Sequence, residues 1–109
     1  GNNVYPEDIE DAVGAVPGVI PGRVVAFGVE NARSGTEQIE VAVETEFEGM
    51  EERGHLTRLI IDAAMALDLT VARVHLLPPR SLIKSSSGKP SRKANRDRIL
   101  AGHHTQGNR

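Results

Sequence analysis

The apolar residues of this chain recur at two different periods, which restricts it to a mixed fold of short helices and strands. Ile9, Val13 and Val16 follow one another at helical spacing. Val24-Val25-Ala26-Phe27-Gly28-Val29 is nearly continuous in apolar character, as expected of a central strand. From Gln38 to Thr45 the chain alternates. Ile39, Val41 and Val43 point one way and Glu40, Ala42 and Glu44 the other, the pattern of a half-buried strand. Leu56, Leu59, Ile60, Ala63 and Leu67 form one stripe of a helix from about Glu51 to Leu67. Val71 to Leu77 reads as a third strand. Punctuation agrees with these periods. Pro6 suits a first helical position, and Glu7, Asp8, Glu10 and Asp11 place negative charge at the positive end of the helix dipole. Pro17-Gly18, Asn31 to Gly35, Asp68 to Thr70 and Pro78-Pro79 break the elements. A short basic helix from Ser91 to Leu100 and a frayed tail from Gly102 to Arg109 complete the chain. The expected fold is α+β: a small three-stranded sheet with flanking helices, in the order α-β-β-α-β-loop-α, whose first two strands form a hairpin.

The length of 109 residues fits one compact domain. Only Tyr5, Phe27 and Phe47 are aromatic, so Val, Ile, Leu and Ala must fill the core. Without cysteine there is neither a disulfide framework nor a thiolate zinc site. No apolar stretch approaches the roughly 18 residues of a membrane span, and no signal peptide is evident. A cytoplasmic origin is expected. The opening Gly1-Asn2-Asn3-Val4-Tyr5-Pro6, without methionine, reads as the start of a piece of a longer chain. The formal net charge of -2 hides an asymmetry. Residues 1–79 hold five basic and 14 acidic side chains, a balance of -9; residues 80–109 hold eight and one, a balance of +7. Such polarity points to an anion-facing end.

Most catalytic arrangements are lacking. There is no Gly-x-Ser-x-Gly elbow. His75 falls inside a strand and reads as a packing residue, and the His103-His104 pair in the expected tail is a weak metal candidate. The carboxylates at 7, 8, 10 and 11, and Glu40 and Glu44 on the strand, are explained by solvated faces. What stands out is Leu82-Ile83-Lys84-Ser85-Ser86-Ser87-Gly88-Lys89-Pro90-Ser91-Arg92, with hydroxyls, a glycine and three cations in eleven residues. It is not a P-loop, because position 83 is Ile and position 90 is Pro. It offers a glycine-hinged lysine at the mouth of a helix, where backbone N–H groups also favour anions. The same cations could track a nucleic-acid backbone, but no aromatic side chains interleave them for base stacking. A non-catalytic protein-interaction module is a further reading.

Two segments together resemble one family. Gly1-Asn2-Asn3-Val4-Tyr5-Pro6-Glu7-Asp8-Ile9-Glu10 is similar to the segment that opens the small C-terminal subdomain of adenylate-forming enzymes. Lys84-Ser85-Ser86-Ser87-Gly88-Lys89-Pro90-Ser91-Arg92 is similar to the Lys-Thr-x-Ser-Gly-Lys segment that closes it. Their separation matches one whole subdomain over residues 1–100, leaving 101–109 as a flexible tail. The family comprises acyl-CoA synthetases, peptide-synthetase adenylation domains and luciferases. The first motif most resembles its fatty acyl-AMP and fatty acyl-CoA ligases. Departures are Ile83 for the usual proline, Ser85 for threonine, and Pro90 for an apolar residue, which is expected to start the terminal helix.

The resemblance implies a fatty-acid-activating ligase. A carboxylate attacks ATP to give acyl-AMP and pyrophosphate, and a thiol of coenzyme A or of carrier-protein phosphopantetheine then takes the acyl group. The chain's partner would be its own large N-terminal subdomain, which binds ATP, Mg2+ and the fatty acid. Lys89 would be the catalytic lysine of adenylation. Ser87, Gly88 and Arg92 would assist anion binding, and Gly1 would face the pantetheine tunnel. Neither a nucleic-acid partner nor a membrane span is implied. The lysine loop, Ser81–Lys89, is expected to be mobile, with nothing in this chain to hold it.

Overall fold

The structure is a computed structural model that describes residues 5–31 and 33–106, the side chains of 103–106 excepted. Helix α1 (Pro6–Gly14) starts where Pro6 fixes the backbone, and Asp8 reaches back to accept the Tyr5 N–H at 3.2 Å. It buries Ile9 and Val13, the expected stripe. Strands β1 (Val24–Asn31) and β2 (Thr36–Glu44) form the expected antiparallel hairpin, with Ala26 opposite Val41. Helix α2 (Met50–Met65) carries the chain over to β3 (Val71–Leu77), which pairs parallel to β2. The sheet order is β1-β2-β3. Helix α3 (Arg92–Gln106) follows.

The sheet is covered on both faces. On one side Ile9 and Val13 of α1 and Leu56, Ile60 and Ala64 of α2 meet Val24, Ala26, Val41, Val43 and Val71. On the other, Leu82 and half-buried Ile99 of α3 pack on Val25, Phe27 and Ala42. The element order, the hairpin and the three-stranded sheet agree with the sequence. The boundaries shift. Helix α2 ends at Met65, and Ala64 rather than Ala63 points inward. Its last turn is closed by Asp68 at φ 62, with the Leu69 N–H bonded to the Ala64 carbonyl at 3.1 Å, so the chain reverses before Leu67 can join the stripe. Helix α3 continues beyond Leu100 to Gln106, through part of the segment expected as a tail.

The expectation of a half-solvated β2 is overturned. The second face is covered as well, by the segment through Arg80 and Leu82 and by α3, and Glu40 is only 7% exposed and Glu44 only 1%. Glu40 accepts from or bonds to His75 Nε2 at 2.7 Å, and the His75 ring stacks on Phe27 with centroids 6.4 Å apart. His75 is thus a packing residue, as expected, but one with a polar partner. No described helix is long and apolar enough to cross a membrane.

Candidate functional site: a lysine hairpin and its anchors

The segment carrying Lys89 is a closed hairpin. Lys84 and Pro90 form an isolated antiparallel bridge. Between them the Ser85 N–H donates to the Lys89 carbonyl at 2.7 Å and the Gly88 N–H to the Ser85 carbonyl at 2.9 Å. Gly88 sits at φ 88, in the left-handed region that glycine enters at no steric cost. The Ser85 hydroxyl donates to the Lys89 carbonyl at 3.0 Å, so the Ser85–Ser87 contact at 2.9 Å takes its proton from Ser87. Every residue from Lys84 to Lys89 is exposed.

Three polar side chains anchor this hairpin to the body. The first is Asn95, 0% exposed on α3. Its Oδ1 accepts the Ile83 N–H at 2.8 Å, and its Nδ2 donates to the carbonyls of Ile83 at 2.9 Å and Ser91 at 2.6 Å. The Ser91 N–H also meets the Ile83 carbonyl at 2.9 Å. One amide thus fastens both strands of the hairpin base to the helix that follows. The second anchor is Glu44, at the end of β2. Its two carboxylate oxygens accept the backbone N–H groups of Arg80 and Leu82, each at 2.9 Å, where the chain enters the hairpin. Arg23 Nε lies 3.8 Å away as a partial counter-charge. A buried carboxylate held by two N–H donors and a cation is compensated for its lost hydration.

The third anchor is Glu10 of α1. Its carboxylate takes the Arg92 guanidinium side-on, with Nε–Oε2 at 2.8 Å and Nη2–Oε1 at 2.9 Å. The same Oε2 also accepts the Ala26 N–H on the open edge of β1 at 2.9 Å. Hydrogen bonding to Glu10, reinforced by the charges of Glu10 and Glu7, raises the Arg92 pKa above the ordinary arginine value. Ser91, not Pro90, starts α3: its hydroxyl accepts the Ala94 N–H at 3.1 Å in the manner of an N-cap. Pro90 instead stays extended in the bridge to Lys84, which corrects the expectation that it opens the helix.

Between α1, the start of β1 and the hairpin exit lies an open depression of about 750 Å³. Lys89 and Arg92 line it together with Glu7, Glu10 and Asp11. Among the described residues Lys89 has no hydrogen bond or ion pair for its ammonium, whereas Arg92 is committed to Glu10. Of the residues picked from the sequence, Lys89, Ser87 and Gly88 share the hairpin and Arg92 stands at its exit, while Gly1 lies outside the described residues. The His103 and His104 side chains are outside them too. No group of three or more His, Asp or Glu fit to hold a metal ion occurs among the described residues. The sequence pattern marks none of the three anchors: Glu10 and Glu44 read as solvated side chains, and Asn95 lies within a basic helix.

The chain has relatives among known proteins. No protein-family model matches the chain. The 4-hydroxyphenylalkanoate adenylyltransferase of Mycobacterium tuberculosis is 36% identical over 95% of this chain and 17% of its own length. A protein of the same organism described as probable long-chain-fatty-acid–AMP ligase FadD30 is 37% identical over 86% of this chain and 16% of its own length. A solved structure from work on fatty acyl-adenylate ligases of E. coli and L. pneumophila superposes with a TM-score of 0.73 at 30% identity, over 96% of this chain and 18% of that one. The chain spans about a sixth of the length of the curated relatives it matches.

Proposed function

The chain belongs to the adenylate-forming ligase superfamily, and from that premise we propose that it is the mobile C-terminal subdomain of a fatty-acid-activating ligase, supplying the adenylation lysine. In the reaction a carboxylate oxygen of the acid attacks the α-phosphorus of ATP. The new C(=O)–O–P bond gives acyl-AMP, and the bond to the β-phosphate oxygen breaks to release pyrophosphate. Negative charge concentrates on the α-phosphate as attack proceeds. Lys89 would meet it as a compact point charge on a long stem. Stabilisation of this kind is effective when the donor is held in advance, so that no reorganisation accompanies the reaction.

The observation that carries this reading is the contrast within one hairpin. Its tip presents an ammonium with no partner among the described residues, on a base fixed by Asn95, Glu44 and Glu10. Such a lysine is spare for an anion brought by another part of the protein. ATP, Mg2+ and the fatty acid would be held mainly by the larger N-terminal part. The acyl acceptor would be coenzyme A or a carrier-protein phosphopantetheine, and Gly1 would face the thiol arm after the subdomain turns. Ser87 and Gly88 would assist by leaving room and hydroxyl groups near the phosphate.

The test uses the full-length parent. Lys89→Ala should abolish most pyrophosphate release from ATP and a fatty acid, yet leave transfer from supplied acyl-AMP to the thiol largely intact. Equal loss in both half-reactions would overturn the assignment. Residues 1–109 alone should form no acyl-AMP, since one cation without a substrate pocket cannot assemble the reaction.

A further inference from the structure

A second cleft of about 630 Å³ lies between the end of β3 and α3 and shares no lining residue with the Lys89 depression. Its walls include the apolar side chains of Leu76, Leu77 and Ile99, and Arg80 and Arg98 also line it. Arg80 is held at φ 63, a left-handed backbone conformation uncommon outside glycine. Its N–H is bound by the buried Glu44 carboxylate, which fixes that conformation. Yet the Arg80 guanidinium is exposed and has no hydrogen bond or ion pair among the described residues. A backbone outlier that presents an unused cation is a reason to look for a ligand. Arg98, also in the lining, donates through Nη2 to the Ser81 carbonyl, which tethers its guanidinium while other N–H groups remain for a ligand. His75, also in the lining, is held in place by Glu40 and Phe27.

We propose that this cleft binds a phosphate ester carrying an apolar arm, with the phosphate between Arg80 and Arg98 and the arm along Leu76, Leu77 and Ile99. Guanidinium groups match phosphate oxygens in planar, two-pronged hydrogen bonds; here Arg98 is tethered through its guanidinium and Arg80 through its backbone N–H. Glu44 and Glu40, bonded to the lining residues Arg80 and His75, have their carboxylate oxygens engaged by backbone N–H groups and by the imidazole. The site is independent of the role given to Lys89, and either can fail alone.

The experiment is a titration of the 15N-labelled chain with octyl phosphate, with inorganic phosphate, and with sodium chloride at matched ionic strength. Saturable amide shifts are expected at residues 75–81 and 98–102, tighter for octyl phosphate than for inorganic phosphate and absent with chloride. Arg80→Gly is the decisive variant, because glycine accepts the φ of 63 at no steric cost and removes only the cation. It should leave the spectrum folded and weaken octyl phosphate binding about tenfold or more, and Arg98→Ala should weaken it as well. Wild-type affinity in Arg80→Gly, shifts centred on Ser85–Lys89, or the same shifts with chloride would each overturn the site.

Discussion

The tip and the base of the lysine hairpin, Ser85–Lys89 and the pair Ile83 and Ser91, are two positions apart on each strand and follow opposite physical rules. At the tip, Ser85 to Lys89 are exposed, and every hydrogen bond of the turn is internal to it. At the base, Ile83 and Ser91 are bound to Asn95, which has no solvent exposure. The tip can give up its cation without disturbing the fold, whereas the base cannot lose a single amide without leaving backbone groups unpaired. If the proposed function holds, a cation on a fastened stalk would be aimed by moving the whole domain as a body, with no need for the loop to be loose. The expectation that nothing in the chain holds Ser81–Lys89 is therefore replaced by a short exposed tip on a fastened base.

The largest expected effect separates the two regions by activity. In the full-length parent, Lys89→Ala should lower adenylation about a hundredfold to a thousandfold, the range for removing one preorganised charge donor. In this chain the same change should alter unfolding free energy by less than about 0.5 kcal/mol, as for other exposed positions. Pyrophosphate release and urea denaturation measure the two quantities. A loss of stability comparable to the loss of activity would erase the distinction between tip and base.

The converse variant is Asn95→Ala. It strands the Ile83 N–H and weakens the satisfaction of the Ile83 and Ser91 carbonyls. With about 1–3 kcal/mol for each buried group left unpaired, the expected cost is about 3 kcal/mol by urea denaturation. Asn95→Asp should not rescue it, because a carboxylate cannot donate to the two carbonyls. A cost below about 0.5 kcal/mol would mean that the base is held by something other than Asn95.

These contrasts also separate what was legible in the sequence from what was not. The element order could be read because each element carries its own period, and local signals such as Pro6 and Pro78-Pro79 mark its ends. Lys89 stands out in the sequence as a glycine-hinged cation and by resemblance to a family motif, and the structure places it on an exposed hairpin tip. The anchors could not be read in the same way. Glu10 and Arg92 are 82 positions apart, and Glu44 meets Leu82 across 38. Nothing local marks either pair. The alternation of β2 misleads for one reason: period 2 shows that two faces differ, not that the polar face is wet. Glu40 is paired with His75 of β3 and Glu44 is bound by the Arg80–Leu82 segment, partners that come from far along the chain. Asn95 left a faint signal, lying four residues before Ile99 and so on the same helix face.

A smaller effect is expected at the exit of the hairpin. The Arg92 side chain is 43% exposed, so its contact with Glu10 is screened, and Arg92→Ala should cost about 1 kcal/mol or less in urea denaturation. Since Glu10 raises the Arg92 pKa, the contribution is fully present below the ordinary arginine value and is lost only as pH rises through the folded value. Arg92 itself should add no pH dependence to stability in the neutral range. A cost for Arg92→Ala approaching that of Asn95→Ala would move Arg92 from the edge of the base into its centre.

The smallest effect belongs one turn further along α3, where the helix has left the hairpin. Asp97 accepts from Lys93 at 2.9 Å, an i,i+4 pair in solvent, and lies near Arg96 at 3.4 Å. Its pKa is lowered, first by the Lys93 hydrogen bond and then by the charge of Lys93 and its contact with Arg96. A carboxyl whose folded pKa is depressed adds stability above its unfolded value, near 3.9, and loses it as pH falls through the folded value. The pair reverses the better helical order, since the cation here precedes the anion. Both side chains are also free to pair with water instead. Asp97→Asn should thus leave the unfolding midpoint nearly unchanged at neutral pH, while Lys93→Ala should raise the Asp97 pKa toward its ordinary value in a carboxyl NMR titration. A clear stability loss in Asp97→Asn would mean that α3 helps fasten the hairpin through its exposed face as well. The line between anchored base and free surface would then lie further along α3 than the buried amide of Asn95 indicates.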